Sequence, residues 1–210
     1  MQIVLVRHGA TDWNLEHRCQ GSTDRDLSDT GLRQAQEIAI RLRAEIVHGI
    51  YSSDLKRARQ TAEVISQHHG LPVEVETQIR ELDHGHLEGL TFAEIKKNYG
   101  AFLSRWRSEP AELEVPGGER LIDVAERAWA GLNRIAARHG PAEKIVVVSH
   151  NFPIVGIVCR ITGTHLNKYR NFHLDPCGMT RLQRNADDRW QVTHINDDEF
   201  ADHPGRAIPM

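Results

Sequence analysis

The stretch Ile3-Val4-Leu5-Val6-Arg7-His8-Gly9 decides the fold of this chain. Its four apolar residues, most of them β-branched, predict a strand buried on both faces, as is typical of a parallel sheet. Gly9 lets the backbone turn sharply out of that strand. Arg7 and His8 therefore come to the carboxyl end of a central strand, the edge at which open α/β sheets bind ligands. A cation beside a potential nucleophile indicates an anionic substrate, and phosphate is the first candidate.

Strand and helix patterns alternate along the rest of the chain. The further predicted strands lie at 49–52, 73–75, 144–148, 180–183 and 190–195, and the predicted helices at 32–42, 55–68, about 91–107, about 120–138, and from a first turn containing Pro153 to Ile161. Ser28 or Asp29 is predicted to cap the first of these helices, and Ser53-Asp54 the second. Beyond Asn196 the chain is polar, and we expect it to be irregular.

This alternation predicts a single α/β domain over residues 1–210. We expect three layers, α/β/α, with a mixed, mainly parallel central sheet. The helical segment at about 85–140 is long for a crossover between strands. We interpret it as a cap insertion over the C-terminal edge of the sheet, where the active residues are predicted to lie.

Composition limits the classes of partner and compartment. The net charge of −3 favours neither a nucleic-acid nor a membrane partner. No apolar run approaches the roughly 20 residues that span a bilayer, and the first residues do not resemble a signal peptide. Cys19, Cys159 and Cys177 lack metal-type spacing and suit a reducing compartment as buried or free thiols. We therefore expect a cytoplasmic protein.

Several predicted strands lead to side chains suited to phosphate. Arg7 and His8 follow the first, Arg57 lies just inside the helix after the second, and His150 follows the strand at 144–148. Two guanidinium groups can clamp phosphoryl oxygens in the transition state. A neutral imidazole can attack phosphorus, which splits one hard step into two, and a second histidine can stay protonated beside the anion. A carboxylic acid is then needed to protonate the leaving alkoxide and later to activate water.

These residues resemble the signature of the histidine phosphatase superfamily, also called phosphoglycerate-mutase-like. The resemblance covers nearly the whole chain, and its motifs follow one another in the order that the family has. The motifs are Arg7-His8-Gly9 with Asn14, Arg18-Cys19-Gln20-Gly21, Tyr51-Ser52-Ser53-Asp54-Leu55-Lys56-Arg57-Ala58, Glu81-Leu82-Asp83 with Glu88-Gly89, Pro116-Gly117-Gly118-Glu119, and Val148-Ser149-His150.

The resemblance implies a phosphoric monoester hydrolase of the histidine acid phosphatase type, with no metal or organic cofactor. His8 would be the phosphorylated nucleophile. Arg7, Arg57 and His150 would complete the phosphate pocket. Glu81 would be the proton donor, although the nearby carboxylates Asp83 and Glu88 could compete for that role.

The resemblance also implies a set of substrate-binding residues. Asn14 would bind phosphate, and Gln20 with Gly21 would line the entrance. His84 would lie at the rim and contact the non-phosphate end of the substrate; the pair His84-x-His86 could instead be half of a metal site. Asn151 stands where the family often has glycine, and its side chain could donate to phosphate or narrow the pocket.

Three functions are compatible with these residues: a phosphatase, a phosphoglycerate mutase, and a non-catalytic relative that binds a phosphorylated ligand. No catalytic residue is missing, and the chain is similar to the shorter phosphatase members. The motifs look most like those of metal-independent phosphoserine phosphatases, with α-ribazole and broad-specificity phosphatases also similar. We therefore predict that the partner is a small phosphate ester, with a homodimer compatible with the family.

Overall fold

The computed structural model describes residues 1–197. Its centre is a six-stranded sheet in the order β3-β2-β4-β1-β5-β6, whose strands are β1 Gln2–Arg7, β2 Gly49–Ser52, β3 Val73–Val75, β4 Lys144–Ser149, β5 Met179–Arg184 and β6 Trp190–Asp197. The first four strands are parallel, and β5 and β6 run antiparallel to their neighbours. The predicted mixed, mainly parallel sheet is confirmed. The predicted irregular tail lies, from residue 198 on, outside the described residues.

Helices cover both faces of this sheet. They are α1 Asp12–Leu15, α2 Asp29–Leu42, α3 Lys56–His69, α4 Phe92–Asn98, α5 Gly100–Ser108, α6 Leu121–Ala136 and α7 Asn151–Thr162, with 3₁₀ helices at Thr77–Ile79, Gly85–Leu87 and Leu166–Asn171. The α2–α3 pair packs on one face of the sheet, and the α6–α7 pair packs on the opposite face. These are the three predicted layers. No helix within residues 1–197 meets the length and hydropathy that a membrane span requires.

The alternation of side chains along β1 divides the core in two. Ile3 and Leu5 join the cluster that contains α6 and α7 residues, whereas Val4 and Val6 join the cluster under α2 and α3. All four are at most 1% exposed, so β1 is buried on both faces as its apolar run predicts. β4 pairs with it in parallel, Arg7 opposite Ser149. Arg7, His8 and His150 therefore emerge side by side at one edge.

One of the two predicted helix caps is present in the structure, and the other is not. Ser28 caps α2 and accepts a hydrogen bond from the Gly31 amide at 3.1 Å. The predicted Ser53-Asp54 cap of α3 is wrong. The N-cap residue is Leu55, whose side chain cannot accept a hydrogen bond from the first amides of the helix. Asp24, from a distant loop, accepts from the Lys56 amide instead, at 2.7 Å.

The helices of the segment at about 85–140 pack into one core cluster. α6 packs against α7 in the helix layer, and Trp106 of α5 and Ile95 of α4 are buried in the same core cluster. Ile95 also lines the pocket described below, together with Phe92 of α4. The interpretation of this whole segment as a cap insertion stays a prediction.

Candidate active site

A cavity of about 420 Å³ opens at the carboxyl edge of the parallel strands. Nine of the predicted site residues line it: Arg7, His8, Asn14, Gln20, Gly21, Arg57, Glu81, His84 and Asn151. The tenth, His150, is fully buried with its ring centroid 5.1 Å from that of His8. The fold thus brings together every residue that the sequence assigned to the site.

The hydrogen bonds of His8 determine which of its nitrogens carries the lone pair. Nδ1 lies 2.7 Å from the Gly9 carbonyl, which can only accept, so Nδ1 carries the hydrogen. Nε2 accepts from Nε of Arg57 at 3.2 Å. Burial, with the charges of Arg57 and Arg7, holds the pKa of His8 well below its ordinary value. His8 is therefore a neutral imidazole whose lone pair is on Nε2, the nitrogen that faces Arg57.

Arg57 is completely buried, and backbone carbonyls hold its guanidinium. Nη1 donates to the Thr23 carbonyl at 3.0 Å and Nη2 to the Gly21 carbonyl at 2.7 Å. Burial lowers its pKa to about 10, so the group is still a cation at neutral pH. Gly21 has a positive φ of 59°, and a Cβ there would lie 2.0 Å from Oε1 of Glu88. Only glycine therefore fits this position, whose carbonyl holds Arg57.

Arg7 brings a second buried guanidinium to the cavity. Its Nη1 donates to the Leu174 carbonyl at 2.6 Å, whereas its buried Nε has no hydrogen-bond partner within residues 1–197. Burial lowers the pKa of Arg7 from its ordinary value, against the opposing charges of Glu81 and Asp175. An unpaired buried donor costs free energy that an anionic ligand can recover.

His150 lies at the start of α7, and Ser53 holds one of its nitrogens. Nε2 is 2.9 Å from Ser53 Oγ, and the buried Nδ1 has no partner among residues 1–197. Burial and the Arg57 charge keep the pKa of His150 well below its ordinary value. The imidazolium expected from the sequence therefore depends on an anion beside it, since a nearby negative charge favours the protonated form.

Glu81 is a buried carboxyl at the amino end of α7. Oε1 accepts from the amides of Leu82 at 2.9 Å and Phe152 at 3.2 Å, and Oε2 accepts from that of Asn151 at 3.1 Å. These amides and both arginines favour the carboxylate, yet burial outweighs them and raises the pKa of Glu81. A raised pKa keeps the proton available, which suits a general acid.

The two competing carboxylates make loop contacts instead. Glu88 accepts from the amides of Ser22 at 2.6 Å, Thr23 at 2.8 Å and His84 at 3.2 Å. Asp83 accepts from the Gly85 amide at 2.8 Å. Neither residue lines the cavity. Among the three candidates, only Glu81 is placed to exchange a proton there.

The remaining predicted residues line the cavity around this centre. Asn14 completes the capping box of α1, whose N-cap is Thr11, since its Oδ1 accepts from the Thr11 amide at 3.0 Å. Gln20 Nε2 donates to Thr11 Oγ1 at 2.6 Å. His84 lies with its ring centroid 5.4 Å from that of Phe152, and burial lowers its pKa to about 4. Within residues 1–197, no three His, Cys, Asp or Glu side chains are grouped as metal ligands.

The outer wall of the cavity is the part that sequence reasoning missed. It consists of side chains from α4 and from the segment around the last 3₁₀ helix: Phe92, Ile95, Tyr169, Arg170, Phe172, His173 and Leu174. The cluster of aromatic and basic residues after α7 is the one signal that could have indicated this segment. Only the fold shows that it lies over the cavity.

Residues 3–198 match the family model of the histidine phosphatase superfamily, branch 1. The chain belongs to this superfamily. It is 38% identical over 175 residues to phosphoserine phosphatase 1 of Hydrogenobacter thermophilus, covering 83% of this chain and 82% of that protein. It is 40% identical over 200 residues to the metal-independent phosphoserine phosphatase of Arabidopsis thaliana, covering 93% and 83%. A vanadate complex of a mycobacterial glucosyl-3-phosphoglycerate phosphatase superimposes with a TM-score of 0.85 at 31% identity, covering 94% and 99%.

The burial of His84 predicts its titration. We expect its imidazole to stay neutral at pH 5.5 and to protonate near pH 4, because the folded environment disfavours the cation. The unfolded chain binds that proton at about 6.5, so His84 reduces the free energy of unfolding as pH falls below that value. The measurement is an NMR titration of ring shifts, with His84→Gln to assign the signal. Protonation of His84 at pH 6.5 in the folded protein would contradict this environment.

Proposed function

We propose that this member of the superfamily hydrolyses small phosphomonoesters through a phosphohistidine on His8. The arrangement of His8 carries the proposal. Its Nδ1 hydrogen is held by the Gly9 carbonyl, which leaves the lone pair on Nε2, where the buried guanidinium of Arg57 donates to it. A tautomer held in this way is ready for attack, because no proton must leave the nucleophilic nitrogen first.

The first step transfers the phosphoryl group to the protein. Arg7 and Arg57 bind the phosphoryl oxygens, and Nε2 of His8 attacks phosphorus in line with the leaving oxygen. As the N–P bond forms, the P–O bond to the leaving group breaks and its electron pair stays on oxygen. Glu81 gives its proton to that oxygen, so an alcohol leaves and Glu81 becomes a carboxylate. The Gly9 carbonyl stabilises the cationic ring through Nδ1.

The second step releases phosphate. The Glu81 carboxylate takes a proton from water while the water oxygen attacks phosphorus. The N–P bond breaks, and its electron pair returns to Nε2 of His8. Inorganic phosphate leaves, and both His8 and Glu81 regain their starting protonation states. His150, protonated beside the anion, stabilises the charge in both steps.

Phosphoserine is the substrate we propose first, with α-ribazole phosphate or a broader set of small organic phosphates as the alternative. Two relatives at 38% and 40% identity are named as phosphoserine phosphatases. The cavity of about 420 Å³ suits a small ester, and its lining includes His84 and Asn151 as candidates to contact the substrate. The buried free thiols of Cys19, Cys159 and Cys177 support a cytoplasmic location.

The phosphohistidine can be observed directly. A rapid quench during turnover with labelled ester should give acid-labile, base-stable label on His8. Replacement of the nucleophile by His8→Ala should remove the label and reduce kcat at least about a thousandfold. His194→Ala, which changes an exposed residue of β6, is the matched control and should leave the label and kcat unchanged. Full activity of His8→Ala would refute the nucleophile.

A substrate panel assayed in EDTA tests the reaction and its specificity. We expect phosphate release to persist in EDTA, with phosphoserine showing the highest kcat/KM among the esters. Loss of all phosphate release in EDTA would refute the metal-free mechanism. Interconversion of phosphoglycerates without net phosphate release would favour a mutase, in which His8 returns the phosphoryl group to a bound sugar acid.

The role of Glu81 predicts a dependence on the leaving group. Glu81→Gln keeps the shape but cannot give a proton, so alkyl phosphates should react about 10²–10⁴-fold more slowly. Dinitrophenyl phosphate needs no protonation of its leaving group, so the formation of phosphohistidine from it should slow far less. The measurement is single-turnover kinetics with both esters. Equal losses with the two esters would exclude Glu81 as the general acid.

A further inference from the structure

Arg127 holds the loop that carries Glu81. Its side chain lies on α6 and is only 18% exposed. Nη1 donates to the carbonyls of Gln78 at 2.8 Å and Arg80 at 2.6 Å, and Nη2 donates to that of Glu81 itself at 2.8 Å. One guanidinium thus satisfies three carbonyls of the short segment that leads into the proposed acid.

Glu119 orients this guanidinium and holds the loop on the other side of Glu81. Arg127 donates Nε to Oε1 of Glu119 at 3.1 Å and Nη2 to Oε2 at 3.0 Å. Glu119 Oε2 also accepts from the Asp83 amide at 3.0 Å, and the Glu119 amide donates to the Asp83 carbonyl at 3.0 Å. The main chain is therefore tied down both before and after Glu81.

Glycines in both loops allow the Glu119 loop to approach the Glu81 loop this closely. A Cβ on Gly118 would lie 2.2 Å from the Asp83 carbonyl oxygen, and a Cβ on Gly85 would lie 2.4 Å from the Gly117 carbonyl carbon. The two loops meet backbone to backbone, at a separation that side chains would prevent. The Pro116-Gly117-Gly118-Glu119 motif, which is not part of the cavity lining, thus acts on the Glu81 loop.

The position of the Glu81 carboxyl depends on this support. Two of its three amide partners, Asn151 and Phe152, belong to α7, so a shift of the Glu81 main chain would pull the carboxyl away from both of them. Proton transfer needs the donor and acceptor oxygens within hydrogen-bond reach, and a displacement of about 1 Å costs up to about a hundredfold in rate. A lysine could not replace Arg127, since its ammonium lacks the planar fork.

We infer that Arg127, oriented by Glu119, is a positioning residue for Glu81, fixing its main chain so that the carboxyl meets the leaving oxygen. This inference rests on the proposed function, in which Glu81 is the general acid. Arg127 is not among the residues that line the cavity, so its contacts reach the reacting atoms through the Glu81 loop. The effect of its loss should therefore depend on the leaving group in the same way as the loss of Glu81.

The experiment compares single-turnover rates with the best alkyl phosphate of the panel and with dinitrophenyl phosphate. Arg127→Met keeps an apolar stem and removes all five hydrogen bonds to carbonyl and carboxylate oxygens. We expect about a tenfold to hundredfold loss with the alkyl ester and less than about threefold with the aryl ester. Arg127→Lys and Glu119→Gln, which are milder changes, should give smaller losses of the same kind.

Arg120→Met is the matched control. Arg120 is the residue at which α6 begins, and like Arg127 it pairs with a carboxylate through two hydrogen bonds, to Asp123 at 2.8 and 2.7 Å. Its side chain is 43% exposed and makes no hydrogen bond to the Glu81 loop. Both rates should stay at the wild-type level. Where Arg127→Met fails to fold, Arg127→Lys and Glu119→Gln carry the comparison, and thermal unfolding of each variant measures its stability.

The choice of leaving groups separates this effect from a purely electrostatic one. Burial and Arg57 lower the pKa of His150, and the Arg127 charge adds to them, so loss of Arg127 also acts on the phosphate pocket. That influence would change both esters alike, whereas a misplaced acid affects mainly the alkyl ester. A double variant tests the same point. When Arg127→Met is added to Glu81→Gln, the single-turnover rate with the alkyl ester should fall by less than about threefold more, because the carboxyl that Arg127 positions is already lost.

Two results overturn the inference. One is an equal loss with both esters in Arg127→Met, and the other is full additivity with Glu81→Gln. If Glu81→Gln itself shows no dependence on the leaving group, the proposed function fails and the inference falls with it. If Glu81→Gln shows that dependence and the Arg127 and Glu119 variants do not, only the positioning role is wrong.

Discussion

The rest of the site depends on the burial of two guanidinium groups beside one histidine. Arg57 is fully buried and Arg7 is 5% exposed, and each is partly held by backbone carbonyls rather than by a carboxylate partner. Carbonyls satisfy the hydrogen bonds of a cation without neutralising its charge. The cavity therefore keeps positive charge, which together with burial, the larger cause, holds the pKa of His8 and of His150 below the ordinary value and favours an anionic ligand.

The loops around the cavity serve to hold these few groups in place. Glu88 ties the Ser22 and Thr23 amides, which fixes the carbonyls that hold Arg57. Thr61 accepts from the Gly9 amide and donates to the Arg57 carbonyl, which joins the end of β1 to α3. Glu88 thus contributes through structure, and Glu81 is the one carboxyl among the described residues that line the cavity.

The sequence predicted the strands, the helices and the ten site residues because each depends on local chemistry or on an ordered set of motifs. Apolar runs such as 144–148 predict buried strands directly, and Ser28 caps the helix that follows it. The cap of α3 was wrong because Asp24 reaches that helix from a distant loop, which local patterns cannot show. The outer wall from Tyr169 to Leu174 escaped prediction for the same reason.

The sequence by itself determined the candidates for the reacting groups, since Arg7, His8, Arg57, Glu81 and His150 have the chemistry that phosphoryl transfer would need. Only the tertiary structure decided their states. The tautomer of His8 depends on the Gly9 carbonyl and on Arg57, and the raised pKa of Glu81 depends on burial. The support of Glu81 by Arg127 likewise joins residues far apart in the chain. Protonation and position arise from distant neighbours, and a sequence specifies those only through the fold.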